Sequence, residues 1–438
     1  MYGRPSSLLT LHASLIPKSR PKTPTPLHIT HKFRVPLTSC TYYKNMIEDE
    51  WRYFSPSGAV TPGGPSTWHI LDWDQRRIIS VTMDEEQESE DVAVEHLKKH
   101  IDAIKPGIYE VHLSREGAII SISTDPQDDL TFCVYYPPLQ QVPRPDHIKT
   151  VLRSKLRELD RLAPNVDLAL YSPHPETASQ PKKAVFKYYF LRQFLYRLWD
   201  EMNIWMRLPP HPNIVPFDRL VLDEVNGCVV GFTSLYIPGD TIDNNKRRVF
   251  KLKWLKQLTQ VIDDLNLQYG IIHQDVAARN LLVDPNTDAL MLFDFNYSSR
   301  LGDVGYSKDR DDIKGVTFTL YEIITRDYHF RKVPHEQQNP ADLEGLNWIK
   351  HADVALDHEI SEYRSVLNMW VKKRRAGRQM TIYTEAPRYI EWPAFPTPPE
   401  TLLFADVYGP VLNEMRRDKE PNTFVNWERP PQRRTDLN

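Results

Sequence analysis

The sequence predicts an α+β fold, with short paired strands and long amphipathic helices in separate stretches of the chain. Three observations predict it. Leu281-Leu282-Val283 and Ala289 to Phe293 are apolar runs joined by Asp284-Pro285-Asn286-Thr287-Asp288, the pattern of two buried strands and a polar turn. Lys251 to Tyr269 repeats Leu252, Leu255, Leu258, Val261/Ile262 and Leu265, the spacing of a long helix with one apolar face. Tyr109 to Leu113 and Ala118 to Ile122 alternate around Arg115-Glu116-Gly117, which reads as a hairpin.

A chain of 438 residues allows two or three domains, or one large domain with extensions. Its 55 basic and 58 acidic side chains nearly cancel, to a net charge of −3, which argues against bulk nucleic-acid binding. Cys40, Cys133 and Cys228 are odd in number and far apart. They make neither a disulfide framework nor a metal knot, and so point to a reducing, cytoplasmic compartment. No apolar run approaches the roughly 20 residues of a membrane span, so no membrane partner is expected.

Residues 1–45 contain no acidic residue and carry Arg4, Lys18, Arg20, Lys22, Lys32, Arg34 and Lys44. They read as a disordered basic tail. A mitochondrial transit peptide is the alternative, and Pro17, Pro21, Pro24 and Pro26 disfavour its amphipathic helix. Met46, where the composition turns acidic, is a second candidate start. Residues 46–145 read as a small α+β accessory region. It has strand-like runs in Trp68 to Val81, a solvated acidic loop over Asp84 to Asp91, and a helix over Val92 to Ile104 stopped by Pro106-Gly107. After the hairpin, Leu130 to Tyr136 is a further strand candidate.

The chemistry-bearing residues lie between 146 and 390. His273-Gln274-Asp275 is followed five residues after the aspartate by Asn280, and fourteen residues later by Asp294-Phe295-Asn296. A hairpin of the predicted kind holds Asp275, Asn280 and Asp294 at its rim. Carboxylate and amide oxygens there suit a hard cation carrying phosphate oxygens. Upstream, Ala184-Val185-Phe186-Lys187 is a strand ending in a lysine. The helix predicted over Phe190 to Leu208 carries Glu201, with Asp200 beside it, and His211-Pro212-Asn213-Ile214-Val215 follows.

In this order the motifs resemble the protein kinase superfamily, whose patterns are H-R-D-x-x-x-x-N, D-F-G and V-A-I-K. The chain is most similar to fungal kinase-like proteins with a short segment after the metal-binding turn. The resemblance covers residues 150–385 and implies a two-lobed fold, with a small β-rich lobe over 146–237 and a larger helical lobe over 238–390. It implies ATP and Mg²⁺ as ligands. Lys187, oriented by Glu201, would hold the phosphates, and Asp275 would orient the acceptor hydroxyl. Asn280 and Asp294 would bind Mg²⁺. Ser234 would be the gatekeeper, with the backbone of Leu235, Tyr236 and Ile237 on adenine. Asp312 would brace the catalytic loop.

Four departures stand out. Around Ala163-Pro164-Asn165 a strand–turn–strand outline lacks the family's glycines, and Pro164 removes a phosphate-facing N–H. Gln274 replaces an arginine that reads activating phosphate, so no control of that kind is expected. Asn296 replaces a glycine, and asparagine tolerates a left-handed backbone there. Only eighteen residues separate Asp294 from Asp312, with no A-P-E between them, which leaves little room to bind a peptide. The implied activity is transfer of the γ-phosphate of ATP to a hydroxyl, of a protein Ser/Thr/Tyr by family default or of a small molecule. The alternative is a pseudokinase acting as a nucleotide-binding or scaffolding module. Beyond the catalytic stretch, Asp357 to Ala376 reads as a helix with a solvated basic end, Lys372 to Arg375. Pro387 to Pro399 reads as a strap on the helical lobe, continuing into a strap-and-tail region over 391–438, and Arg416 to Asn438 as a polar tail, disordered in part.

Overall fold

The computed structural model describes residues 49–131, 134–173 and 180–397, together with 42, 43, 47, 403–406, 409–412, 425–429 and 433–434. Apart from 42 and 43, the basic segment 1–45 lies outside the described residues.

The N-terminal sheet has strands β1 (Tyr53–Val60), β2 (Ser66–Asp72), β3 (Arg77–Met83), β4 (Glu110–Leu113) and β5 (Ile119–Ser123), in that order. All neighbours are antiparallel except β3 and β4, which run parallel because helix α1 (Asp91–His100) crosses over between them. One sheet face and α1 bury Ile70, Ile79, Val81, Met83, Ala93, Leu97, Val111 and Leu113 as a separate small core. The hairpin predicted around Arg115-Glu116-Gly117 is β4–β5. The strand predicted over Leu130 to Tyr136 does not form among its described residues. Side chains take the bonds a ladder would need there: Thr131 Oγ1 accepts from Ile78 N at 2.9 Å, and Asp129 Oδ1 accepts from Thr131 N at 2.9 Å.

A second, six-stranded sheet runs β6–β10–β11–β9–β8–β7, with β6 (Lys149–Leu152), β7 (Arg157–Ala163), β8 (Val166–Tyr171), β9 (Lys182–Tyr188), β10 (Phe217–Leu222) and β11 (Val229–Leu235). Helix α2 (Arg192–Arg207) follows β9. Beyond β11 the chain is mainly helical: α3 (Leu252–Asp263), which widens into a π turn over Asp264–Gln268, α4 (Asp312–Thr325) and α5 (Ile360–Ala376). The hairpin β12 (Leu281–Asp284) and β13 (Ala289–Leu292) sits against α3. The predicted stripe of α3 is buried at Leu252, Leu255, Leu258, Val261 and Ile262. Each such side chain contributes about 1.5–3 kcal/mol. Helix α4 begins where Asp311 caps Lys314 N at 3.1 Å and ends at Arg326, in the left-handed region at φ 58°.

Three expectations for the C-terminal third are met only in part. The strap packs on the helical part where Arg388 N and Ile390 N donate to Gln268 O and Tyr269 O, and where the Arg300 guanidinium lies 4.4 Å from the ring centre of Trp392. It then crosses to α2: Trp392 Nε1 donates to Asp200 Oδ1 at 2.9 Å, Trp199 Nε1 donates to Pro393 O at 2.8 Å, and Phe395 packs on Trp199. Each indole N–H needed an acceptor: α2 supplies the Asp200 carboxylate to Trp392, and the strap supplies Pro393 O to Trp199. Within the basic end of α5, Arg374 is not solvated, because it pairs with Asp263 at 2.6 Å and donates to Asn266 Oδ1 at 2.9 Å. Within the polar tail, Trp427 is buried, stacked on Tyr188 at 4.7 Å, and donates to Tyr136 Oη at 2.9 Å.

Candidate active site

Strand β9 lies between β8 and β11, so its last turnward residues are fixed on both sides. Lys187 is opposite Phe232 and Val166, and its side chain shares a sheet face with Val185 and Ser234. The ammonium lies 2.8 Å from Glu201, on α2, and 2.5 Å from Asp294 Oδ1, just past β13. Three distant segments thus place one ammonium against two carboxylates, and Lys187 and Glu201 are both buried. Burial pushes the Glu201 carboxyl up to about 7, against the pull of Lys187 and with Asp294 adding to the rise. Burial also opposes ionisation of Asp294, but the neighbouring ammonium outweighs it and holds that carboxyl below its ordinary range. Lys187 is itself burdened by burial, yet the two carboxylates raise its pKa well above normal. Asp200, the rival for Glu201's place, faces Trp392 instead.

Asp275 sits on the loop entering β12. Its Oδ1 pairs with Arg279, and its Oδ2 accepts from Asn280 Nδ2 at 2.8 Å. Asp312 braces that loop from below: Oδ2 accepts from His273 N and Oδ1 from Gln274 N, each at 2.8 Å. Asn266 Nδ2 adds a bond to Asp312 at 2.8 Å, and Arg374 in turn holds Asn266. Replacing Asp312 with alanine strands two buried N–H groups at about 1–3 kcal/mol each, so a loss of roughly 2–6 kcal/mol is expected in urea unfolding. A loss below about 1 kcal/mol would mean that the loop does not depend on this carboxylate.

Gln274 has a positive role that its lack of charge concealed. Its Nε2 lies 2.7 Å from Tyr297 O, 3.1 Å from Ser299 Oγ and 2.9 Å from Gly305 O, while its Oε1 accepts from Ser307 N at 2.6 Å. One neutral side chain therefore pins the short segment from 297 to 307. The left-handed residue of the Asp294-Phe295-Asn296 turn is Asp294, at φ 67°, and not Asn296 as expected. That backbone turn points the carboxylate back at Lys187, while Phe295 is fully buried against Trp205 of α2.

Of the hinge residues, Ser234 is buried at the end of β11. Leu235 N is bonded to Pro216 O at 3.0 Å, whereas the N–H groups of Tyr236 and Ile237 have no hydrogen-bond partner among the described residues. Any base recognised by backbone N–H here would meet Tyr236 or Ile237. The turn Ala163-Pro164-Asn165 joins β7 to β8, with Asn165 left-handed at φ 63°. Val166, at its foot, is the cross-strand partner of Lys187.

The residues fit a phosphate-bound divalent cation. Among the described residues no three His, Cys, Asp or Glu side chains converge on a metal position. Mg²⁺ is commonly held by one or two carboxylates plus substrate phosphates, which matches Asp294 with the amide oxygen of Asn280. Two carboxylates, Glu201 and Asp294, share the single ammonium of Lys187, and that surplus of negative charge is of the sign that a cation relieves. Sequence reasoning overlooked Arg279 as the partner of Asp275, and Gln274 as an organiser of the segment. The i,i+4 spacing of Asp275 and Arg279 was the one signal available. Among the described residues no helix is long and apolar enough to cross a membrane. No family model matches the chain, and no curated protein matches it.

Proposed function

We propose that this chain is an ATP–Mg²⁺-dependent phosphotransferase of the protein kinase-like kind, moving the γ-phosphate to a hydroxyl acceptor. The observation that carries this reading is the Lys187–Glu201–Asp294 cluster, assembled beside a loop on which Asp275 and Asn280 are bonded to one another. Lys187 holds the phosphates, with Glu201 fixing its direction. Asp275, aimed by Arg279 and Asn280, orients the acceptor hydroxyl and takes its proton. Asn280 and Asp294 hold Mg²⁺, which when bound neutralises charge on the phosphate oxygens. The segment pinned by Gln274 favours a small-molecule acceptor over a peptide.

A second reading, a pseudokinase serving as a binding module, draws on the glycine-free turn containing Pro164. Thermal stability with ATP, with Mg²⁺ and with both separates the two. At 100 times its dissociation constant, a ligand specific for the folded state adds about 2.7 kcal/mol. The phosphotransferase reading expects stabilisation that needs ATP and Mg²⁺ together and is weakened in Asp294→Asn. No shift at millimolar ATP would overturn it.

A further inference from the structure

The turn after β7 stands over the Lys187 end of its sheet but is not built to move. Its flanking cross-strand residues, Arg161 and Asp167, are both charged and both buried. Each is tied to the β2–β3 hairpin tip of the N-terminal sheet, residues 72–77: Arg161 pairs with Asp74, and Arg76 pairs with Asp167. The tip is itself locked. Arg52 reaches Asp72 at 2.8 Å and Asp74 at 3.7 Å, and Arg76 is left-handed at φ 58° while almost wholly buried. The Arg76 guanidinium lies 4.3 Å from the ring centre of Tyr188, the residue after Lys187, and Trp73 packs edge-on against Phe190 at 5.1 Å. Tyr188 N donates to Asn165 O at 3.1 Å, which joins the turn to the lysine strand.

We propose that the hairpin tip of the N-terminal sheet is part of the nucleotide site: Asp74 and Arg76 act as positioning residues that hold the Ala163–Val166 turn over the phosphates through buried ion pairs. The inference rests on the nucleotide reading of the Lys187 site. A glycine-rich turn reaches phosphate by flexing, but one with Pro164 and Asn165 cannot. It serves only if held in place beforehand, and a pre-placed turn spends no ordering entropy when the ligand arrives. Buried charge pairs suit that purpose because they set position more sharply than they add stability.

The test compares wild type with Asp74→Leu/Arg161→Met by titration calorimetry, using Mg²⁺–ATP and adenosine as separate probes. The double variant removes the Arg161–Asp74 bridge, together with the contacts of Arg161 to Glu158 and of Arg52 to Asp74, and leaves the remaining charges paired, Arg52 with Asp72, Arg76 with Asp167 and Arg429 with Glu158. The expected result is Mg²⁺–ATP binding weakened about tenfold to a hundredfold, with adenosine binding unchanged, because only the phosphates lie beneath the turn. Should the double variant not fold, Asp74→Asn, which keeps an acceptor for Arg161 without the charge, carries the same comparison with a smaller loss. Equal weakening for both probes, or none for either, overturns the proposal while leaving the site reading intact. Absence of Mg²⁺–ATP binding by wild type overturns both.

Discussion

Asp275→Asn is expected to lower kcat by about 10²–10⁴-fold while leaving the fold and nucleotide affinity near wild type. The reason is local. Asp275 has one oxygen on Arg279 and the other on Asn280, so its carboxylate is aimed rather than buried for packing. The amide keeps the size and one acceptor but takes no proton from an acceptor hydroxyl. The structural cost is small, because the amide oxygen still accepts from Arg279, whose side chain is 31% exposed and can regain water. Single-turnover phosphate transfer, with melting temperature measured alongside, checks this. Turnover within a few-fold of wild type would remove Asp275 from the chemistry.

Lys187→Met should produce a large change in stability, and one that depends on pH. It leaves the carboxylates of Glu201 and Asp294 together without a cation, and breaking a buried pair in this way costs about 3–5 kcal/mol. In the wild type Glu201 is already raised to about 7, above its ordinary 4.5. Between those values the folded state binds the extra proton, so this group's contribution is fully present below 4.5 and is lost as pH rises through about 7. Asp294, held below 3.8, works in the opposite sense: its contribution is present above 3.8 and lost only as pH falls through its lower folded value. Without Lys187 the Glu201 window extends further upward. The deficit relative to wild type is therefore larger at pH 8 than at pH 5, where Glu201 takes up a proton. Denaturant midpoints at both pH values measure it. An equal deficit at the two values would mean that the carboxylates do not share the ammonium.

What could be read from the sequence were residues whose role is set by short spacing or by the end of an element. Asp275 and Asn280, five apart on one loop, bond to each other, and Lys187 at a strand end meets Glu201 of the following helix. Asp312, first in its helix, reaches the loop that its position suggested. The unread part was written in main-chain atoms and in distant partners. Gln274 binds carbonyls at 297 and 305, which carry no side-chain signal. The strap's path depended on Asp200 accepting an indole from 192 positions away, while its neighbour Glu201 faces Lys187. The mixed α+β architecture followed from periodicity. The union of the N-terminal sheet with the six-stranded sheet did not, because it rests on arginines that on a linear chain look like ordinary surface charge.

The outer face of the six-stranded sheet is closed by Trp427 and Arg429. Arg429 reaches the Glu158 carboxylate 271 positions earlier and Asp74 O 355 positions earlier. A ribosome adding about 5–20 residues per second needs roughly 15–55 s to span the first of those intervals. Throughout that time the ring face of Tyr188 that Trp427 covers and the half-buried Glu158 carboxylate lack these partners, although Arg76 already holds Asp167. The strand bearing Lys187 is thus made early and finished late. A stop codon ahead of Trp427 is expected to harm the protein by exposing the back of its lysine strand, even though it leaves Lys187, Glu201 and Asp294 in the chain.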